Sequence, residues 1–446
     1  MRDRLTRMVR LVGAFIPDAT AMAVFMLAGL AALALALGNS TTEVADAFYR
    51  GLWMLLPLSM QMTLVLLLSG AMAATPLFRR LILRLAELPR STFQVFLVAV
   101  LLSGAMSYLY WGLIFALGPM IAVHFARVAE SRGIRIDFPC LLATTYASGS
   151  IWQYGLSSSP ALLVATPGHF LESTTGVMPL STTIWSTGSV LLVCLFPLLL
   201  AVLARFVMPR DIEPLSAFEH AHALSEATAR PTDDDSGARG IARWTERSRL
   251  VPMLLAAMLG VWTWYHFAIK HGSLDLNSMI TLLLIATLLM QGNFASFSQA
   301  LREAIKPTWS IVVLYQVYAA VAGLVQYTRV GATFAEFFAS ISTPMTFPLL
   351  TAIAGTIVAF FVPSSGGQWV IQGFVTSQAA IAVGTTPQAG LLALGVGDQM
   401  GNLVSPFWLI VIAGLARIDF RKIYGFSLTF AALWFVLGVA IFTLVG

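Results

Sequence analysis

The stretch Phe361-Val-Pro-Ser-Ser-Gly-Gly-Gln-Trp-Val-Ile-Gln-Gly373 sets Pro363, two hydroxyls, paired glycines and Gln368 inside a run apolar enough to lie at membrane depth. A helix that breaks there leaves amides and carbonyls without helical partners. Lipid supplies none, so such a break must face protein or a watery cavity. Interrupted, glycine-rich, polar segments near the bilayer midplane are how many secondary carriers build their sites. The run points to a polytopic all-α membrane protein with a transport role.

The whole chain agrees with that class. Of its 446 residues, 58% are hydrophobic and only 11% are charged, too little charge to cover a soluble protein of this size. The net charge of +5 is no nucleic-acid signature, because the basic residues sit in short loops between apolar spans. Cys140 and Cys194 both lie in apolar stretches without metal-ligand spacing, and read as small buried hydrophobes rather than a disulfide. Residues 1–18 begin with a basic, amphipathic segment lacking a small-residue cleavage site, which reads as a retained cytoplasmic interfacial helix.

A bilayer crossing takes about 20 apolar residues. Such spans run near 19–37, 51–73, 184–207, 250–268, 274–291, 309–327 and 422–445. Residues 92–127 and 347–384 are too long for one crossing and are interrupted near their middles. Residues 138–166 and 389–415 carry Gly/Ser/Thr-rich patches that end in Ser-Pro. The hydrophilic segment 209–249 divides the chain into a first unit, 19–208, and a second, 274–446, with 250–273 as an extra helix.

The two units look related. Gln61 matches Gln316 at an offset of 255, Thr92-Phe93 matches Thr346-Phe347 at 254, Leu141-Leu-Ala143 matches Leu391-Leu-Ala393 at 250, and Ser159-Pro160 matches Ser405-Pro406 at 246. Their shared order and slow drift indicate an internal repeat. Loop charge sets the orientation. Arg2, Arg4, Arg7 and Arg10 place the N-terminus in the cytoplasm, and Arg79, Arg80, Arg84 and Arg90 place the next basic loop there. Arg127, Arg132 and Arg135 ask for the same side, so 92–127 must enter and leave together, as a re-entrant hairpin or two short crossings. The extra helix then turns the second unit upside down. The expectation is about nine crossings, two re-entrant hairpins, two broken helices and a C-terminus on the outer face.

Four polar breaks are expected to converge. The hairpin tips are Ser107-Tyr-Leu-Tyr-Trp-Gly112, with Tyr110, Trp111 and Gly112, and Pro363-Ser-Ser-Gly-Gly-Gln-Trp369, with Ser364, Ser365, Gly366, Gly367 and Gln368. The first broken helix offers Thr145, Ser148 and Ser150, and the second offers Asp398, Gln399, Asn402 and Ser405. Half-helix N-termini and neutral hydroxyls suit an anion that must be bound and then released. Unwound carbonyls with Asp398, Gln399 or Asn402 suit a coupling ion, sodium or a proton. Asp398 stands inside a broken span, where acids are costly enough to be functional by default; the plainer reading is a carboxyl that only caps a half helix. Gly397-x-x-x-Gly401 alone signals only close packing, and Gln61 and Gln316 either line the cavity or bond a neighbouring helix. Trp111, Trp152, Trp369 and Trp408 adjoin the breaks, as an aromatic wall or as ordinary packing.

No His-Glu-x-x-His, Cys/His cluster, phosphate-binding glycine loop or nucleophile elbow occurs, so neither an enzyme nor a cofactor is expected. A channel is disfavoured because no ring-forming filter is present. The four motifs hold no arginine or lysine, which favours a singly charged, partly apolar solute over a dicarboxylate or inorganic anion. A homodimer is a candidate assembly in the lipid bilayer.

At these residues the chain resembles the bacterial short-chain fatty acid transporter family. The likeness spans almost the whole chain, through Phe15-Ile-Pro-Asp18, Met60-Gln61-Met62, Tyr110-Trp-Gly112, Ala165-Thr-Pro-Gly168, Val362 to Gly373, and Asp398-Gln399 to Ser405-Pro-Phe-Trp408. The resemblance implies an inner-membrane permease for small monocarboxylates such as butyrate or acetoacetate, within a wider group of hairpin-containing, ion-coupled carriers.

Overall fold

The computed structural model describes residues 19–218, 221, 240–305, 309–362 and 364–445, and these are helical with no strand among them. The basic N-terminal segment, Pro363 and most of 219–239 lie outside the described residues. In the first half, α1 is Ala19–Ala36, α2 Thr41–Met54, α3 Leu56–Ala73, α4 Pro76–Ala86, α5 Thr92–Leu109, α6 Gly112–Ser131, α7 Phe138–Ser148, α8 Ser159–Ala165 and α9 Thr187–Val207. After the hydrophilic segment come α10 Leu250–Trp264, α11 Leu276–Gln291, α12 Phe294–Ala304, α13 Trp309–Tyr327 and α14 Arg329–Ser340. The chain ends with α15 Phe347–Phe361, α16 Ser365–Ala382, α17 Pro387–Val404, α18 Pro406–Leu415 and α19 Arg421–Leu444.

Each of the seven expected spans is helical. Four helices occupy sequence expected as loop. α2 starts at a capping box, in which the Ser40 hydroxyl accepts from the Glu43 amide and the Glu43 carboxylate accepts from the Ser40 amide. It is separated from α3 at Leu55, two residues before Pro57 in the first turn of the new helix. α4, α12 and α14 are 11 or 12 residues long, and their arginines and acids interrupt the apolar pattern. They are too short and too charged to register as crossings, so hydropathy alone passes over them.

The same kinds of element recur in order: α3, short α4, paired α5 and α6, broken α7 and α8, then α9; and α13, short α14, paired α15 and α16, α17 and α18, then α19. The pair α5–α6 returns to the side it leaves. Thr92 Oγ1 donates to the Arg135 carbonyl at 2.8 Å, and Arg132 Nη1 donates to the Pro89 carbonyl at 3.2 Å. The basic segments meet at this end, where Arg135 Nη2 donates to the Arg210 carbonyl and Lys422 pairs with Glu213 at 2.6 Å. At the other end Arg329 is tied to Leu37 and Asn39, and Gln326 donates to the Phe170 carbonyl. The ends of α15 and α16 bury Phe347, Ala379 and Ala380 together with Phe338 of α14.

Two close helix crossings stand out, one between the halves (α2 with α13) and one within the second half (α15 with α17). In lipid, apolar side chains gain little by leaving one another's company for acyl chains, so close van der Waals approach between small residues does more of the joining. α2 and α13 meet through Ala47 and Gly51 on one side and Ala319 and Gly323 on the other. A Cβ on Gly51 would stand 2.6 Å from the Ala319 carbonyl oxygen and 2.7 Å from the Gly323 Cα. α15 and α17 meet as closely: a Cβ on Gly397 would strike the Ala352 carbonyl, and one on Gly401 the Ala359 side chain. Replacing Gly51 or Gly323 with valine is expected to cost about 1–3 kcal/mol through overpacking. The check is the thermal midpoint of purified protein in detergent. An unchanged midpoint would show that the crossing tolerates a wider spacing.

Convergence of the helix breaks

The first break is built by glycine and serine. α7 tightens into a 3-10 turn over Gly149–Tyr154, unwinds through Gly155 and Leu156, and resumes at Ser159, with Pro160 in the first turn of α8. Proline fits there because its missing N–H has no helical acceptor to lose. The unwound backbone is satisfied by the first hairpin. Leu156 N–H donates to the Tyr108 carbonyl at 2.8 Å, and the Trp111 amide donates to Ser157 Oγ at 2.8 Å. Ser107 Oγ donates to the Gly149 carbonyl at 2.6 Å. A Cβ at Gly155 would lie 2.6 Å from the Tyr108 carbonyl oxygen, so only glycine permits the approach.

The second tip docks on this same break. Ser364 caps α16 by accepting from the Gly367 amide at 3.4 Å, and its hydroxyl lies 3.0 Å from Tyr315 OH. Ser365 Oγ donates to Gln153 Oε1 at 3.0 Å across the two halves of the chain. A Cβ on Gly366 would stand 3.3 Å from the Ser159 Cβ. Gln368 reaches back to α15, giving one N–H to the Gly355 carbonyl at 2.8 Å and one to Gln372 Oε1 at 2.7 Å.

α17 departs from expectation. Gly395 to Asn402 are not unwound; the helix runs through to Val404 and breaks only at Ser405, where Pro406 starts α18. Gly397 and Gly401 admit α15 rather than a kink, so the carbonyls of this stretch stay in the helix and offer no unwound ligands. α17 is instead fastened from outside. Tyr154 OH donates to the Leu392 carbonyl, Trp434 Nε1 to that of Val396 and Tyr146 OH to that of Asn402, at 2.7, 3.0 and 3.0 Å.

Between α16, α17 and the first break lies a cavity of about 10 Å³, lined by Gln153, Ser365, Gln368, Trp369, Leu394 and Asp398 among others. That is room for one water-sized guest. Asp398 and Gln368 are 1% and 0% exposed, yet Asp398 Oδ1 and Gln368 Oε1 have no hydrogen-bond partner among the described residues. The other carboxylate oxygen accepts from Asn402 Nδ2 at 3.3 Å, and Asn402 Oδ1 accepts from Trp408 Nε1 at 3.2 Å. Leaving buried acceptors unpaired costs about 1–3 kcal/mol each. A carboxylate and an amide oxygen facing one small void are the hard donors an alkali cation takes, and the carboxylate equally suits a proton. Among the described residues no group of three His, Cys, Asp or Glu could hold another kind of metal.

Of the residues singled out in the sequence, Ser365, Gln368 and Asp398 line the void. Gln399 sits beside it, donating to Ser150 Oγ at 3.1 Å. Asn402 orients Asp398, Ser364, Gly366 and Gly367 shape the second tip, and Ser405 marks the second break. Others lie elsewhere. Tyr110 OH reaches Met279 Sδ on α11 at 3.5 Å, Gly112 packs on Ser69 of α3, Thr145 bonds the Leu142 carbonyl of its own helix, and Ser148 bonds the Val100 carbonyl. Trp111 gives the first tip its amide and stands 6.1 Å from Trp152, while Phe115 stacks on Trp408 at 4.5 Å. Gln61 and Gln316 bond neighbouring helices, to Asn277 and Ser59. Gln153, Leu391, Leu394 and Gly395 are lining residues that were not singled out. Helical spacing reveals the last three, since 391, 394, 395 and 398 form one face of α17, as 365, 368 and 369 do on α16.

An all-helical membrane scaffold with polar breaks gathered at its centre defines a transporter, not an enzyme. The chain belongs to the short chain fatty acid transporter family, whose model matches residues 1–445. It is 27% identical to the "Putative short-chain fatty acid transporter" of Escherichia coli (strain K12), over 99% of this chain and 100% of that one. The protein of the same description in Haemophilus influenzae is also 27% identical, over 98% and 99%. Two solved structures share the fold. The Alcanivorax borkumensis YdaH transporter, described as having an unusual topology, matches at 14% identity over 96% of this chain and 98% of its own, TM-score 0.54. Neisseria gonorrhoeae MtrF, from a class of antimetabolite efflux pumps, matches at 15% identity over 99% and 97%, TM-score 0.61.

The Ser365–Gln153 bond links the halves directly. In a double-mutant cycle with Ser365→Ala and Gln153→Ala, thermal or denaturant stability should show a coupling of about 0.5–1.5 kcal/mol. Additive losses would mean that the two side chains do not meet.

Proposed function

We propose that this chain is a secondary active transporter that carries a short monocarboxylate of the butyrate or acetoacetate type across the bacterial inner membrane, coupled to sodium or a proton. The observation that carries the reading is the meeting of two unpartnered acceptors, Asp398 Oδ1 and Gln368 Oε1, in one void beneath a hairpin tip. The N-terminus of α16, with Ser364, Ser365 and Gly366, holds the carboxylate end of the solute through amides and hydroxyls. Asp398 holds the coupling ion, with Gln368 beside it and Asn402 fixing its orientation. No arginine or lysine lines the void, which supports a singly charged cargo.

The topology fits two oppositely facing repeats, with α5–α6 and α15–α16 as re-entrant hairpins and about nine crossings. The end where the basic segments gather is the cytoplasmic one, which puts the C-terminus in the periplasm. A void of about 10 Å³ does not admit a four-carbon acid, so loading separates the α16 tip from the α7–α8 break. The two hairpins facing opposite ways then give alternating access.

The test is uptake of labelled butyrate and acetoacetate into proteoliposomes under sodium and proton gradients imposed separately. One gradient should drive accumulation. Asp398→Asn should abolish gradient-driven accumulation while leaving solute exchange without a gradient, and retained accumulation would remove Asp398 from coupling. Ser365→Ala should raise the half-saturating concentration about threefold to tenfold, the weight of one net hydrogen bond. If neither acid is taken up under either gradient, the cargo is another small anion.

A further inference from the structure

At the end of the molecule where the basic segments gather, away from the central void, a groove of about 560 Å³ opens between the start of α4, the start of α10 and the end of α11. Two arginines line it, Arg80 and Arg249, and no acid does. Both are exposed. Neither pairs with a carboxylate among the described residues; Arg80 Nε reaches only the Pro76 carbonyl in its own helix, at 3.4 Å. Apart from Gln291, Gly292 and Asn293 the rest of the lining is apolar, with Leu77, Met253 and Leu289 each 53% exposed.

The groove continues onto the least buried of the five longest apolar helices among the described residues. Only 11% of the span Leu250–Ile269 is buried inside the protein. Leu254 and Met258 are each 64% exposed and Val261 67%. An occupant of this groove therefore meets positive charge at its head and a long apolar strip beyond it. A soluble phosphate would use the arginines and leave the strip bare. A second helix would cover the strip but supply nothing for the arginines unless it carried acids at that level.

We propose that this groove binds an anionic phospholipid such as phosphatidylglycerol, its phosphate between Arg80 and Arg249 and its acyl chains along α10. Basic pockets between helices at the cytoplasmic surface are where such headgroups bind, and an unpaired arginine fork matches phosphate geometry. α4 adds to the attraction. Its cap residue Thr75 accepts no bond from the helix amides and donates to the Met72 carbonyl instead, at 2.8 Å, so the helix end that lines the groove has no side-chain cap.

The site ties three segments of the chain together through one lipid: the helix that follows α3, the helix opening the second half, and the turn before α12. A bound lipid there stabilises their packing.

The experiment is native mass spectrometry of the full-length protein in detergent, titrated with phosphatidylglycerol or phosphatidylcholine, alongside thermal melts in the same mixtures. The wild type should bind phosphatidylglycerol at least about tenfold more tightly than phosphatidylcholine and melt higher with it. Each surface arginine contributes about fivefold, so Arg80→Gln with Arg249→Gln should weaken phosphatidylglycerol binding about twentyfold and erase the melting increment. Its melt in phosphatidylcholine should match the wild type, which separates loss of lipid from loss of fold. Arg80→Lys with Arg249→Lys should keep most of the preference, and Arg90→Gln, a basic change outside the groove, should keep all of it. Undiminished preference in the double glutamine variant overturns the proposal. So does an equal melting increment from glycerol phosphate alone, which would mark an anion site, or a groove covered by a second copy in a lipid-independent dimer.

Discussion

The structure depends on one constraint: a helix that stops inside a bilayer must find partners for its free amides and carbonyls within the protein. Here the chain solves this by setting each interruption against another. The first hairpin tip supplies the Tyr108 carbonyl to Leu156 and takes a hydroxyl from Ser157 for its own Trp111 amide. The second tip closes onto the same place through Ser365 and Gln153. The breaks are therefore central because they complete one another. Placed singly against lipid, each would carry unpaired groups costing several kcal/mol.

Against this background the two acceptors left over stand apart. Among the residues lining the void Trp369 Nε1 is unpartnered too, but it is a donor, and α17 is fastened by Tyr154, Trp434 and Tyr146 and pressed on α15 through Gly397 and Gly401. A helix held so firmly keeps Asp398 at fixed depth. The second tip is held by neutral hydroxyl bonds from Ser364 and Ser365, each worth about 1 kcal/mol net. The polar ties of the two walls therefore differ: side-chain donors to backbone carbonyls on α17, hydroxyl bonds at the α16 tip.

Much of this could be read from residue order. Apolar length marked seven stretches that are helical, the Ser-Pro pairs fall at the starts of α8 and α18, and loop arginines marked segments that do meet at one end. What failed was the reading of small residues. Gly395, Gly397 and Gly401 look the same in sequence whether they unwind a helix or admit a neighbour, and only the opposing Ala352 and Ala359 decide between the two. Serines were equally ambiguous, since Ser148 and Ser365 differ in what lies across from them and not in local pattern. Gln153 escaped notice because its role is defined by Ser365, 212 positions away. The short amphipathic helices were hidden by their charges, although the Ser40–Glu43 capping box was in plain view.

The asymmetry between the two walls bears on how an ion and a solute could be linked. A ligand shifts a conformational balance only by its difference in affinity between the two states. On the proposed coupling, oxygens contributed by α16 and α17 together would bind a cation well with the tip latched and poorly once Gln368 had moved off with it. An occupied void would then favour the closed tip, and two hydroxyl bonds of roughly 2 kcal/mol together are weak enough for that difference to govern. Were the tip clamped by charged pairs, no ion of ordinary affinity would move it. On the proposed function, its hydroxyls and glycines would keep that opening within reach, which would tie the Ser-Ser-Gly-Gly composition of the tip to transport rather than to packing alone.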